Sequence, residues 1–287
     1  MADEVSEKEK IVLEAEHLLL GALMGSLDDE GPDVPLRYAD QDAEATALAD
    51  GTALCDLSGL YALRIAGTAA EAFCSAAFGG SKLAVGECAF EPVFMGDGRL
   101  VSVPLLARTG DEEYVLWDAS PSADLLAAWL SFLSDIEQNG YRPYAALDLE
   151  EESTALVPLL LWGDAATSIL RDYVRKDDEL PRAGHISDVS LDGTIATLVL
   201  SPELDSRPSY LVLVPPSYAR IVWRSLLSFQ ALTPVGRVVC RQLITETLPW
   251  GKLLLDAEPH EVDASSVKAW GIMRKDHDFV GARALLS

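Results

Sequence analysis

Basic residues, histidines and paired cysteines are all scarce in this chain. Its 22 lysines and arginines face 46 aspartates and glutamates, for a net charge of −24. Such a surface does not suit nucleic acid, because phosphate binding needs cations to displace counterions. An anionic membrane surface is disfavoured on the same ground. The four histidines, His17, His185, His260 and His277, never fall at metal-ligand spacing, so no metal site is expected. Cys55, Cys74, Cys88 and Cys240 form no C-x-x-C pair and read as reduced, mostly buried thiols of a cytoplasmic protein. No G-x-S-x-G elbow, Walker loop or strand-linked G-x-G-x-x-G occurs, which weakens hydrolase, nucleotide and dehydrogenase readings. No apolar run approaches the roughly eighteen residues of a membrane span. The opening stretch lacks the basic flank of a secretory signal.

What is present is a foldable composition: 287 residues, 49% hydrophobic and 24% charged. The acid is uneven, with fourteen Asp or Glu in residues 1–50 against Lys8, Lys10 and Arg37. Within that segment Ile11, Leu13, Ala15, Leu18, Leu19 and Ala22 recur at near-helical spacing and predict one amphipathic helix. The segment could dock a basic protein partner, although an exposed acidic run is more often only a solvated face.

The stretch "CDLSGL" (55–60) places a carboxylate and a hydroxyl at a turn entering a strand. Asp, Ser and Gly are turn formers, so the local reading is a corner. Two longer stretches then echo one another. "LRIAGTAAEAF" (63–73) and "LLLWGDAATSI" (159–169) both read strand, glycine corner, helix, with Gly67 and Gly163 96 residues apart. "DEEYVLWDASPSADLLAAWLSFL" and "RPSYLVLVPPSYARIVWRSLLSF" both read strand then helix, and Tyr114 and Tyr210 keep the same offset. Between these anchors lie hairpins around Gly96-Asp97-Gly98 and Asp192-Gly193. Asp97 reads as a turn former, and Pro104 predicts an edge or bulge in its strand. Each half is therefore β-α-β-β-β-α, an α+β fold of mixed and antiparallel sheets with packed helices. The acidic "LDLEEEST" (147–154) is the expected crossing between the halves.

Collinear motifs over residues 35–286 carry a resemblance. "PLRYADQDAEATALADGTALCDLSGL" is similar to a Pro-Leu-x-Tyr opening, a Glu-bearing helix and an Asp-x-Ser corner, with Glu44 and Asp56 twelve apart. "LVPLLLWGDAATSILRDY", "TPVGRVVCRQLITETLPWGKLLLD" and "AWGIMRKDHDFVGARALL" follow in the same order. Together they resemble the folate-binding aminomethyltransferases, typified by the T-protein of the glycine cleavage system. The resemblance implies a discontinuous first domain of residues 1–58 and 150–287. It also implies an inserted ferredoxin-like domain of residues 59–149. A C-terminal barrel, usual in the family, is expected to be absent. Tetrahydrofolate is the cofactor it implies, and a small flat or methylated molecule the substrate class.

The family's site positions depart here. The catalytic carboxylate position after the hairpin falls on Ser102 and Val103, neither of which is a base. The folate-binding glutamate falls on Leu211, and two arginine positions fall on Cys240 and Ile244. Arg237 and Arg241 would share a helix face and read as surface arginines that could serve a displaced anion. Phe90 keeps a stacking surface in place of a tyrosine, Leu60 fits an apolar position, and Trp250 is placed at a cavity mouth. The resemblance implies transfer chemistry altered or lost and tetrahydrofolate binding weak or absent, in a cavity lined by apolar groups. The alternative is a non-catalytic ligand-binding or protein-interaction module on the same fold.

Overall fold

The computed structural model describes residues 10–27 and 31–287. Near the start, α1 (Glu14–Leu19) leads to a ribbon of β1 (Leu23–Gly25) and β2 (Val34–Arg37), followed by α2 (Gln41–Asp50) and β3 (Thr52–Asp56). The first repeat contains β4 (Tyr61–Ala66), α3 (Ala70–Ala77), β5 (Cys88–Phe90), β6 (Val93–Phe94), β7 (Leu100–Ser102), β8 (Leu105–Gly110), β9 (Glu113–Asp118) and α4 (Ala123–Ser134). An edge strand β10 (Asp148–Glu151) precedes the second repeat. That repeat holds β11 (Val157–Gly163), α5 (Ala166–Tyr173), β12 (His185–Leu191), β13 (Ile195–Ser201), β14 (Ser209–Val214) and α6 (Pro216–Leu227). The closing elements are β15 (Leu232–Pro234), α7 (Arg237–Thr247), a 3₁₀ turn at Gly251–Leu255, α8 (Ala264–Trp270) and α9 (Ala282–Leu285).

Beside the two-stranded β1-β2 and β6-β7 pairs, two large sheets form, in the orders β10-β4-β9-β8-β5 and β12-β13-β14-β11-β3-β15. Pairing is antiparallel in both, except for the parallel β15–β3 pair. The order β4-β9-β8-β5 in one sheet is β11-β14-β13-β12 in the other, so the echo in sequence is an echo in topology.

Strand periodicity explains the layering. Along β9, Tyr114 and Leu116 join the core beneath α3 and α4, while Val115 and Trp117 face the other way. Along β14, Tyr210, Val212 and Val214 lie beneath α5 and α6, while Leu211 and Leu213 join Trp117 in a central core. Helices therefore cover the outer faces and the two sheets face each other, which is why these strands are apolar on both sides. The sheets also meet at one edge, where Cys88 N–H donates to Gly184 O and Ile186 N–H to Gly86 O, both at 2.9 Å. Neither β5 nor β12 is left as a bare edge there.

Gly67 and Gly163 take φ of +114° and +132°, and each turns its chain from strand to helix. A side chain at either would strike backbone: the added carbon would lie 2.1 Å from Ala146 O and 2.2 Å from Gly51 O respectively.

Two expectations need correction, and a third gains detail. The amphipathic helix shrinks to the six residues of α1, with Leu13 and Ala22 buried but Ala15, Leu18 and Leu19 exposed. Its buried face is Glu16 and His17, because polar partners await them: Arg224 Nε donates to Glu16 at 2.7 Å, and Asp56 meets His17. The crossing at 147–154 contains β10, paired with β4, where Arg64 gathers Asp148, Glu150 and Glu152 beside it. The first hairpin is two short pairs, β6–β7 and β5–β8, because Pro92 and Pro104 interrupt both strands. Proline has no ladder donor.

Candidate functional site

The Asp56 corner is a buried junction. Asp56, fully buried, accepts from Ser58 N–H at 2.8 Å and Ser58 Oγ at 2.7 Å, which closes the turn. His17 Nε2 donates to its other oxygen at 2.8 Å, and the Tyr38 hydroxyl lies 2.7 Å from His17 Nδ1. Glu44, also buried, accepts from the amides of Tyr38, Ala39 and Gly236 and so ties α2 to the start of α7. Arg237 follows Gly236 and donates from Nη1 to Ser58 O at 2.9 Å and Asp56 O at 3.5 Å. The corner thus sets the position of a guanidinium contributed from 179 residues further along the chain.

That guanidinium borders two adjoining spaces. An inner cavity of about 140 Å³ lies between the sheets, under α7. Leu60, Phe90, Val103, Leu211, Arg237 and Arg241 all line it, together with Ile244 and Trp250, so the structure brings together the cavity candidates from sequence apart from one. The exception, Ser102, is fully buried behind the wall and donates to Asp118 at 2.7 Å. Arg237 is buried and Arg241 half-buried, which corrects their placement as surface arginines. Trp250 also lines the cavity: it is 5% exposed, its ring 5.6 Å from that of Phe90. Asp97 bonds Arg99 N–H at 3.1 Å as a turn former. An outer cleft of about 590 Å³ adjoins the cavity and has Ser58, Gly59, Asp124, Glu151 and Ser153 along it.

Leu60, Asp118, Ala119, Ser120 and Arg237 border both spaces. Asp118 was not singled out from sequence, and it changes the chemistry: the cavity has a carboxylate after all, reached from the end of β9. It is held by Ser102 Oγ and by Ser120 N–H at 2.9 Å, with Ser120 Oγ 3.1 Å from Ser102 Oγ. Burial pushes its pKa up, and those hydrogen bonds work against that shift. A signal existed in the sequence, since β14, the counterpart of β9, ends in Val214 and passes to its helix through Pro215 alone. A charged residue followed by Ala-Ser-Pro-Ser at the matching point was the anomaly. Cys240 also lines the cavity and hydrogen-bonds Cys55, which lowers the Cys240 pKa while burial raises that of Cys55.

Arg237 and Asp118 make the junction a place of opposite charge beside a mostly apolar chamber. It can orient a polar or ionised group while burying an apolar one. Among the described residues no helix is long and apolar enough to cross a membrane.

Comparison with known proteins agrees with this fold. The chain is 24% identical to an aminomethyltransferase of Herpetosiphon aurantiacus over 278 residues, covering 95% of this chain and 73% of the relative. It is 26% identical to an aminomethyltransferase of Streptomyces avermitilis, covering 95% and 72%. The fold matches the crystal structure of glycine cleavage system aminomethyltransferase T from Bartonella henselae with a TM-score of 0.76 and 18% identity, covering 96% of this chain and 73% of that one. Residues 13–243 match the GCVT N-terminal domain, and on that extent, with the doubled topology behind it, the chain belongs to the GCVT N-terminal domain family.

Proposed function

We propose that this chain is a T-protein-like member of the tetrahydrofolate-binding transferase class in which standard aminomethyl transfer is altered or lost. The observation that carries this reading is the inner cavity, about 140 Å³ and walled largely by side chains such as Leu60, Phe90, Val103, Leu211 and Trp250. Pockets that enclose drug-sized ligands run to about 300–1,000 Å³. A pterin set against Leu211 leaves ring donors unpaired, at about 1–3 kcal/mol for each buried group. Two such losses weaken binding by about thirtyfold or more. The net charge of −24 further opposes a polyglutamate tail, within the screening length of about 8 Å. The residues present therefore do not fit tetrahydrofolate, and the carboxylate at hand, Asp118, already accepts from Ser102 and Ser120. We further infer that 59–149 is an inserted domain within a discontinuous one of 1–58 and 150–287. A cytoplasmic location suits four buried thiols without disulfides.

Isothermal titration of tetrahydrofolate into the wild type and Leu211→Glu tests the reading, with thermal melts reporting the fold. Weak or absent wild-type binding that improves in the variant is expected. Tight wild-type binding that Leu211→Glu weakens would overturn it. Reconstitution with the remaining glycine cleavage components is expected to yield no methylene-tetrahydrofolate above background, and robust turnover would show that transfer chemistry survives.

A further inference from the structure

We propose that the junction of the two cavities binds a small zwitterionic amino acid, its ammonium on Asp118, its carboxylate on Arg237 and its apolar side chain in the inner cavity. The proposal rests on the inner cavity being a ligand site for something other than tetrahydrofolate.

Two buried groups of opposite sign border the same two spaces, and each is anchored from behind. Arg237 spends Nη1 on Ser58 O and Asp56 O, while Nε and Nη2 have no partner among the described residues. Asp118 is held by Ser102 and Ser120 and forms no ion pair among the described residues, with Arg237 or any other cation. A buried charge without a counter-charge is unfavourable. Here the two stay more than a salt-bridge distance apart, in walls that already have other bonds to keep. A ligand bearing both charges as substituents of one carbon satisfies both at once, whereas a simple cation or anion satisfies one and leaves the other. An arriving ammonium also favours the ionised carboxylate, opposing the burial that raises the Asp118 pKa. Forked Nε and Nη2 donors suit a carboxylate in particular.

The inner cavity sets the side chain. At about 140 Å³ it is close to the engineered apolar cavity of about 150 Å³ that accepts benzene. Groups from a branched aliphatic chain up to a single small ring are therefore admitted. Phe90, Trp117 and Trp250 supply aromatic faces for it. The outer cleft of about 590 Å³, bordered by the same Asp118 and Arg237, provides the way in.

The test uses the full chain with three isosteric probes: L-leucine, 3-methylbutylamine and 4-methylpentanoate. In calorimetry L-leucine is expected to bind, with each single-charge analogue at least about tenfold weaker. Asp118→Asn should cost L-leucine at least about tenfold and leave 4-methylpentanoate unchanged, with a melting curve confirming the fold. Analogues binding as well as L-leucine, or no L-leucine binding at millimolar concentration, overturn the proposal. Should Asp118→Asn fail to fold, the three wild-type titrations decide alone. Tetrahydrofolate titrated beside them judges the preceding reading separately, since its tight binding overturns that reading whatever the ratio among the three probes.

Discussion

The repeat ending in α4 and the repeat ending in α6 share their topology strand for strand, yet the first carries a carboxylate into the space between the sheets. Strands β4 and β11, helices α3 and α5, and strands β9 and β14 all begin at a constant offset of 96 residues. That register ends after Asp118, whose counterpart is Val214. Ala119 to Ser122 precede α4, where Pro215 alone precedes α6. Those extra residues contain Ser120, whose amide holds the Asp118 carboxylate, and Ser122, whose hydroxyl reaches Val101 O at 3.0 Å. A second difference lies in the hairpins. The second repeat pairs β12 with β13 over seven unbroken positions, whereas the first is interrupted at Pro92 and Pro104 with Glu91 buried in the gap. A fold can be duplicated while its chemistry rests on a few added residues in one copy.

The most severe test of the equivalence is at the two corners. Gly67→Ala and Gly163→Ala each force an L side chain into a left-handed conformation against a carbonyl oxygen about 2 Å away. The backbone angle alone costs about 1–3 kcal/mol, and the clash adds to it. Urea melts should show both variants destabilised by comparable, large amounts. A loss at one corner only would mean that the repeats do not depend on their turns in the same way.

A smaller effect separates the hairpins. Burial raises the Glu91 pKa from 4.5 to about 8, although Ser81 N–H donates to it at 2.8 Å and works against that shift. The folded state therefore holds this proton more tightly than the unfolded chain does. The stabilising contribution is full below about pH 4.5 and is lost as the pH rises through about 8. The slope is at most about 1.4 kcal/mol per pH unit in that window. Glu91→Gln should flatten the wild-type decline in urea midpoint between pH 5 and 8. An unchanged decline would place its cause elsewhere, including the second repeat.

The smallest effect concerns the added loop. Ser120→Ala keeps the amide bond to Asp118 but removes the hydroxyl that lies near Ser102 and Ser122. A loss of about 0.5–1.5 kcal/mol is expected by thermal or urea melts. No change would mean that the amide alone positions Asp118.

Much of this was legible from local pattern. Gly67 and Gly163 announced the repeat, because a strand-to-helix corner at positive φ favours glycine. Leu60, Phe90, Val103 and Leu211 were expected at a cavity from the family resemblance, and they line one space between the sheets. Arg237 was misplaced on the surface, since nothing local indicates that the carbonyls of Asp56 and Ser58 await it. Glu16 and His17 were missed as a buried face for the same reason: their partners, Arg224 and Asp56, are distant in sequence.

By itself the sequence determined the doubled β-α-β-β-β-α order, the corners, the proline interruptions and the apolar character of the central space, because each depends on backbone preference or on the period of side chains along a strand. Tertiary structure alone decided which charges enter that space. Whether Asp118 and Arg237 point to water or to one junction depends on the facing of two sheets and on the seating of α7 over the Asp56 corner, contacts between residues far apart in the chain that no local pattern encodes.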